Sequence, residues 1–177
     1  IEELQHTYSV ARTVPSYLVS IEGKTASLFA TSARIGGLVA GHDADVVNAL
    51  TNYGTAFGMV FQIVDDILDV IATDAELGKR AGHDMEEGVY TLPVLLTLAQ
   101  QSSDSDELRS FLGKPLSQTE RERALVIVRA HAGIQSAIES ANNYVHMAET
   151  ECDHMPQGVV TDALRAAPAA LLASIIR

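Results

Sequence analysis

Residues 43–71 carry apolar side chains at helical spacing, yet three carboxylates fall inside the run, in Phe61-Gln62-Ile63-Val64-Asp65-Asp66-Ile67-Leu68-Asp69. An ionised carboxylate in such a run is costly to desolvate unless something compensates it. The fold of this chain must therefore supply that compensation. At about 3.6 residues per turn, Gln62, Asp65 and Asp69 lie close to one stripe, with Asp66 turned about 100° away. Phe57, Phe61, Val64 and Leu68 make a second, apolar stripe, expected to face a core. The polar stripe is then expected to point into a cavity or at a cation. Oxygen donors with no His or Cys beside them suit Mg²⁺, which takes one or two carboxylates and completes its shell with water or substrate phosphate. A solvated acidic face is the competing explanation.

Two further segments favour the metal reading. Gly78-Lys79-Arg80-Ala81-Gly82-His83-Asp84-Met85-Glu86-Glu87-Gly88 follows the acidic helix and reads as an ordered loop, part of an irregular segment over 72–90. Loops longer than about 12–15 residues tend to be functional. Upstream, Gly23-Lys24-Thr25 interrupts another apolar helical pattern. Carboxylates, a magnesium-type site and two lysines are what a diphosphate needs.

The rest of the chain reads as helix, with no sustained two-residue alternation. Helices are expected at about 2–11, 15–40, 43–71, 91–101, 105–113, 118–132, 134–153 and 159–176. Asp43, the Ser117/Glu120 pair and Thr161 or Gly158 supply start signals, and Gly41, Gly113, Gly133 and Pro156–Gly158 fall at breaks. No linker or change of composition marks a second domain, so residues 1–177 are expected to form one all-α domain. The single Cys152 excludes an internal disulfide and fits a reducing, cytoplasmic setting. No uninterrupted apolar run reaches the ~18 residues of a transmembrane segment. A net charge of −11 argues against nucleic acid, whose binding is driven by Lys and Arg. Between Asp65 and Glu87 eight acids face only Lys79 and Arg80, so much of that charge surrounds the motif. Divalent ions would reverse the local field and admit a diphosphate.

FQIVDDILD, followed by GKxxGxDxxEG and TLP and preceded by GKT, resembles the C-terminal half of the trans-prenyl diphosphate synthases, the polyprenyl synthetase family. The resemblance implies an all-α chain belonging to an isoprenoid-synthase-type helical bundle. It also implies a prenyltransferase of isoprenoid biosynthesis, joining isopentenyl diphosphate to an allylic diphosphate with Mg²⁺ as cofactor. Asp65, Asp66 and Asp69 match the family's second aspartate-rich motif. On the same ground Lys24 and Lys79 become ligands of the allylic diphosphate, and the Phe61-Gln62 pair contacts the isopentenyl side. From the residues alone, Asp65 is the first choice for a Mg²⁺ ligand, with Asp69 one turn on as its helper. Gly23 is expected to kink the helix and aim Lys24 inward, while the Thr25 hydroxyl bends it further and assists Lys24 in binding substrate. Asp84 and Glu87 are read as holding the loop. Lys24 snorkelling to water and Gln62 serving as a buried structural amide are the plainer alternatives.

The departures from the family matter too. The first aspartate-rich motif and the basic residues that hold isopentenyl diphosphate are absent, and Val89 stands where the family often has Lys. Asp104 and Asp106 are placed in a Ser-rich loop and offer no substitute. The chain opens at Ile1 inside what reads as a helix, so it is expected to lack an N-terminal half and to be inactive alone. The alternative is a non-catalytic regulatory or partner subunit of a heteromeric prenyl synthase. A terpene cyclase is disfavoured because its second metal motif has a different pattern. The resemblance implies a homodimer, and Leu4, Tyr8, Val10, Tyr17, Leu18, Ile21, Leu28 and Phe29 offer apolar area for one.

Overall fold

A computed structural model describes residues 6–73, 80–130 and 132–175. Among these, helices are the only extended regular elements: α1 (Val14–Ile21), α2 (Ser27–Val39), α3 (Ala44–Ile71), α4 (His83–Glu86), α5 (Leu92–Leu98), α6 (Ser103–Phe111), α7 (Gln118–Ala130), α8 (Gly133–Glu151) and α9 (Val159–Ala173). A π-helical turn, Glu22–Ala26, joins α1 to α2, and a 3₁₀ turn, Cys152–His154, follows α8. None is long and apolar enough to cross a membrane.

The chain forms two compact units. The first comprises Ile1–Ser20 and Asp65–Ala137. Its core gathers Tyr17, Ile67, Val70, Met85, Tyr90, Leu92, Leu108, Ile127 and Val128, each nearly or fully buried. Helix starts are chemically marked here. Ser102 and Ser105 form a capping box at α6, and Ser117 exchanges bonds with Glu120 at α7, as its sequence predicts. Pro93 occupies the first turn of α5, where its missing N–H costs nothing. Helix α7 presents Arg121 and Arg129, eight residues apart. Arg121 Nη1 donates to the Ala81 carbonyl at 2.8 Å, and Arg129 Nε donates to the Val70 carbonyl at 2.7 Å. Arg129 thus satisfies an orphan carbonyl at the end of α3.

The second unit comprises Ile21–Val64 and Ile138–Arg177. Ala49, Tyr53, Ala56, Ala148, Cys152 and Met155 form a buried cluster in it. Small residues let backbones touch. A Cβ on Gly54 would meet the Phe29 carbonyl oxygen at 2.7 Å, and one on Gly58 would meet Ala26 Cα at 2.6 Å. Asp43 caps α3 by accepting the Val46 N–H at 3.0 Å. Gly158, rather than Thr161, stands at the N-cap of α9.

Several expectations need correction. Residues 6–11 form turns and not a helix: Tyr8 adopts φ 59°, and its N–H is spent on the Gly88 carbonyl at 2.8 Å. The irregular segment 72–90 contains the short helix α4, and Asp104 and Asp106 lie in the first turn of α6, not in a loop. The core stripe of α3 is Val60, Ile63, Ile67 and Val70, whereas Phe61 is 43% exposed. Val64, expected on the core stripe, is buried as well, and Phe57 and Leu68 are half-buried. Tyr17 and Ile21 are buried and offer no partner surface, while Leu28 is exposed along with Ile35, Leu38 and Val39 on α2.

Candidate functional site

Helix α3 is 28 residues long, about 42 Å, and places its three carboxylates in three environments. Asp65 is exposed, whereas Asp66 and Asp69 are buried. Asp66 Oδ2 accepts a hydrogen bond from the Tyr17 hydroxyl at 2.6 Å. That length falls in the range of O–H···O⁻ bonds, and it supplies compensation that a buried carboxylate requires. The Arg12 guanidinium lies 5.5 Å from the centroid of the Tyr17 ring, and Arg12 Nη1 donates to the Tyr90 carbonyl at 3.1 Å.

Asp69 is held by the turn that follows α3. The Gly82 N–H donates to the Asp69 carbonyl at 2.7 Å, and the Asp84 N–H points at Asp69 Oδ2 from 3.4 Å. Gly82 has φ 71°, and a Cβ there would lie 3.0 Å from Leu125, so the turn calls for glycine on two counts. His83 Nε2 lies 3.6 Å from Glu87 Oε1, four residues on. Asp65 is the carboxylate that a ligand arriving from solvent can reach. Lys79 lies outside the described residues.

In the second unit, Gly23-Lys24-Thr25 falls within the π turn, a local widening of the helix that recurs at functional sites. Where a kink at Gly23 is expected, the structure has this π turn. The Lys24 side chain is exposed rather than turned into the core. The Thr25 hydroxyl does not bend its own helix; it donates to Gln62 Oε1 at 2.6 Å. Back-bonding is instead the work of Ser27, whose hydroxyl donates to the Gly23 carbonyl at 2.8 Å. Gln62 is half-buried, and the Phe61 ring sits 5.4 Å from that of Phe29. Thr25 and Gln62 are thus brought together across two helices.

Among the described residues no three His, Cys, Asp or Glu side chains converge as a metal site. Mg²⁺ does not require three, since one or two carboxylates with water and phosphate suffice. The donor set, an exposed carboxylate backed by buried and hydrogen-bonded ones, fits such a hard cation. Sequence reasoning missed Tyr17 and Arg12. An aspartate buried as Asp66 is needs a donor, but its angle on the helix does not mark it as interior, since Asp69 on the polar stripe is buried too. Nothing in the spacing says which residue that donor is.

Fold and motif together define an all-helical protein of the isoprenoid-synthase type. The chain belongs to the polyprenyl synthetase family, whose model matches residues 2–128. It is 40% identical over 146 residues to a geranylgeranyl diphosphate synthase from Saccharolobus solfataricus, covering 81% of this chain and 44% of that one. It is 31% identical over 166 residues to the heptaprenyl diphosphate synthase component 2 of Bacillus subtilis, covering 94% and 47%. Among solved structures, the geranylgeranyl pyrophosphate synthase from Corynebacterium glutamicum complexed with calcium and isoprenyl diphosphate matches with a TM-score of 0.85 and 34% identity. That match covers 92% of this chain and 51% of the neighbour. The chain spans about half the length of the relatives it matches.

Proposed function

We propose that this chain supplies the second aspartate-rich half of a trans-prenyltransferase site, which joins isopentenyl diphosphate to an allylic diphosphate. The observation that carries this reading is the exposed Asp65, standing on a long helix whose neighbouring Asp66 and Asp69 are each hydrogen-bonded from outside it. The neighbour solved with calcium and isoprenyl diphosphate supports a divalent ion and a diphosphate here. Asp65, with Asp69, would hold Mg²⁺; when bound, the ion neutralises charge on the departing diphosphate. Lys24 and Lys79 act on the same diphosphate as point charges. Phe61 and Gln62 face the isopentenyl side, with Thr25 fixing Gln62. The allylic C–O bond ionises and releases diphosphate, the isopentenyl double bond attacks the cation to form the new C–C bond, and the released diphosphate takes the proton that leaves. No protein nucleophile is needed, and apolar helix faces keep water from the cation.

The test is a fusion of this chain to the N-terminal half of the Saccharolobus synthase. It should elongate farnesyl diphosphate with labelled isopentenyl diphosphate and Mg²⁺, and Asp65→Ala should abolish product. A folded fusion that makes none would overturn the proposal. The 177-residue chain alone should make none either.

A second reading has its own observation. The Bacillus relative is one component of its synthase, and α2 exposes Leu28, Ile35, Leu38 and Val39. This chain would then act with a separate polypeptide, or as a homodimer through that face.

A further inference from the structure

We propose that Tyr17 is a positioning residue for the aspartate motif, its phenol holding the Asp66 carboxylate in one orientation beside the cation site. The inference rests on the metal reading of α3. Tyr17 and Asp66 are 49 residues apart in the chain but meet in one unit, at 2.6 Å, with exposures of 1% and 3%. Away from water, such a bond is stronger and more directional than on a surface. The ring is fixed in turn: Arg12 lies over it at 5.5 Å and is itself anchored to the Tyr90 carbonyl. A guanidinium on the ring face draws electron density from the phenol and makes its hydroxyl a better donor.

Stability alone does not account for this arrangement. A buried carboxylate and its partner can usually be exchanged for an apolar pair of the same shape at little cost. Asp66 directly follows Asp65 on α3, so turning its carboxylate would change the field that a cation at the exposed Asp65 meets. Partners that orient groups around a metal are typically worth about 10–100-fold in affinity. Tyr17 therefore acts on the metal through Asp66, with no contact of its own.

Mn²⁺ serves as the probe, its binding to the 177-residue chain followed by electron paramagnetic resonance. Tyr17→Phe keeps the ring and its packing but removes the donor. It should retain the helical circular dichroism of the parent and weaken Mn²⁺ about 10–100-fold. In an Asp66→Asn background the same change should have no further effect. Unchanged affinity in a folded Tyr17→Phe, or independent effects in the double variant, would overturn the proposal.

A second measurement needs no substitution at Tyr17. With tyrosine labelled with ¹³C at Cζ, the chain's five tyrosines give separate signals, assigned by replacing the other four in turn. Mg²⁺ should move the Tyr17 signal, and a Tyr17 signal that stays put while Mg²⁺ binds would overturn the inference. A parent chain that binds neither ion refutes the metal reading itself. A parent that binds while Tyr17 proves indifferent refutes only the present inference.

Discussion

Gly58→Ala adds one methyl group at the closest backbone approach of the second unit. The new Cβ would stand 2.6 Å from Ala26 Cα and 3.1 Å from Ala26 Cβ. Ordinary carbon contacts begin near 3.5 Å, so α3 and the π turn must separate by roughly 0.9 Å. Backbone cannot step aside as a side-chain tip can, which puts the cost at the upper end of overpacking, about 3 kcal/mol. Alanine's better helix propensity returns about 1 kcal/mol. The net loss is about 2 kcal/mol, or a Tm lower by about 4–8 °C for a chain of this size. The consequence reaches function, because Gln62 lies one turn beyond Gly58 and its bond to Thr25 is only 2.6 Å long. Gly36→Ala is the control. That glycine is helical and exposed, with nothing within 4 Å of an added Cβ, so the same change should stabilise by about 1 kcal/mol. Thermal melts followed by circular dichroism at 222 nm compare the two. A Gly58→Ala chain as stable as its parent would refute the close-approach argument.

Two other predictions concern titratable groups. Burial pushes the Cys152 thiol above its ordinary pKa, so a disulfide reagent at neutral pH should modify it only at the rate of unfolding, and rapid labelling of the native chain would contradict this. The Lys114 ammonium, followed by the Ser117 N–H and hydroxyl, holds the Glu120 carboxyl down to about 2 from 4.5. A carboxyl depressed in the folded state stabilises it above the unfolded pKa, and that contribution fades as pH falls through the folded one. Parent and Glu120→Gln should therefore differ in urea stability at neutral pH and converge between pH 4.5 and 2; a difference independent of pH would refute the pairing.

The helices were legible in the sequence because their boundaries are written locally, in Asp43, in Ser117 with Glu120, and in glycines such as Gly41 and Gly113. What was not legible depends on distant partners. Residues 6–11 have a helical apolar pattern, but Tyr8 turns away to bond Gly88, a contact across 80 residues. The phase of α3 was misread for a similar reason. Of the expected Phe57/Phe61/Val64/Leu68 stripe Val64 is buried, while packing turns Phe61 outward and buries Val60, Ile63, Ile67 and Val70. At the site, Asp65 could be singled out from helical geometry and the Gly-Lys-Thr turn from its break in pattern. Tyr17 as a donor to Asp66 could not, since its spacing reads as part of an apolar surface for a partner.

On the proposed function, α3 receives a diphosphate through a divalent ion at its exposed Asp65. Isothermal titration of the chain with farnesyl diphosphate tests it, run once with Mg²⁺ and once with a chelator. Binding is expected with Mg²⁺, none with the chelator because the residues around the motif are strongly acidic, and loss of Mg²⁺-dependent binding in Asp65→Ala. Binding that persists without metal, or that Asp65→Ala leaves intact, would contradict it.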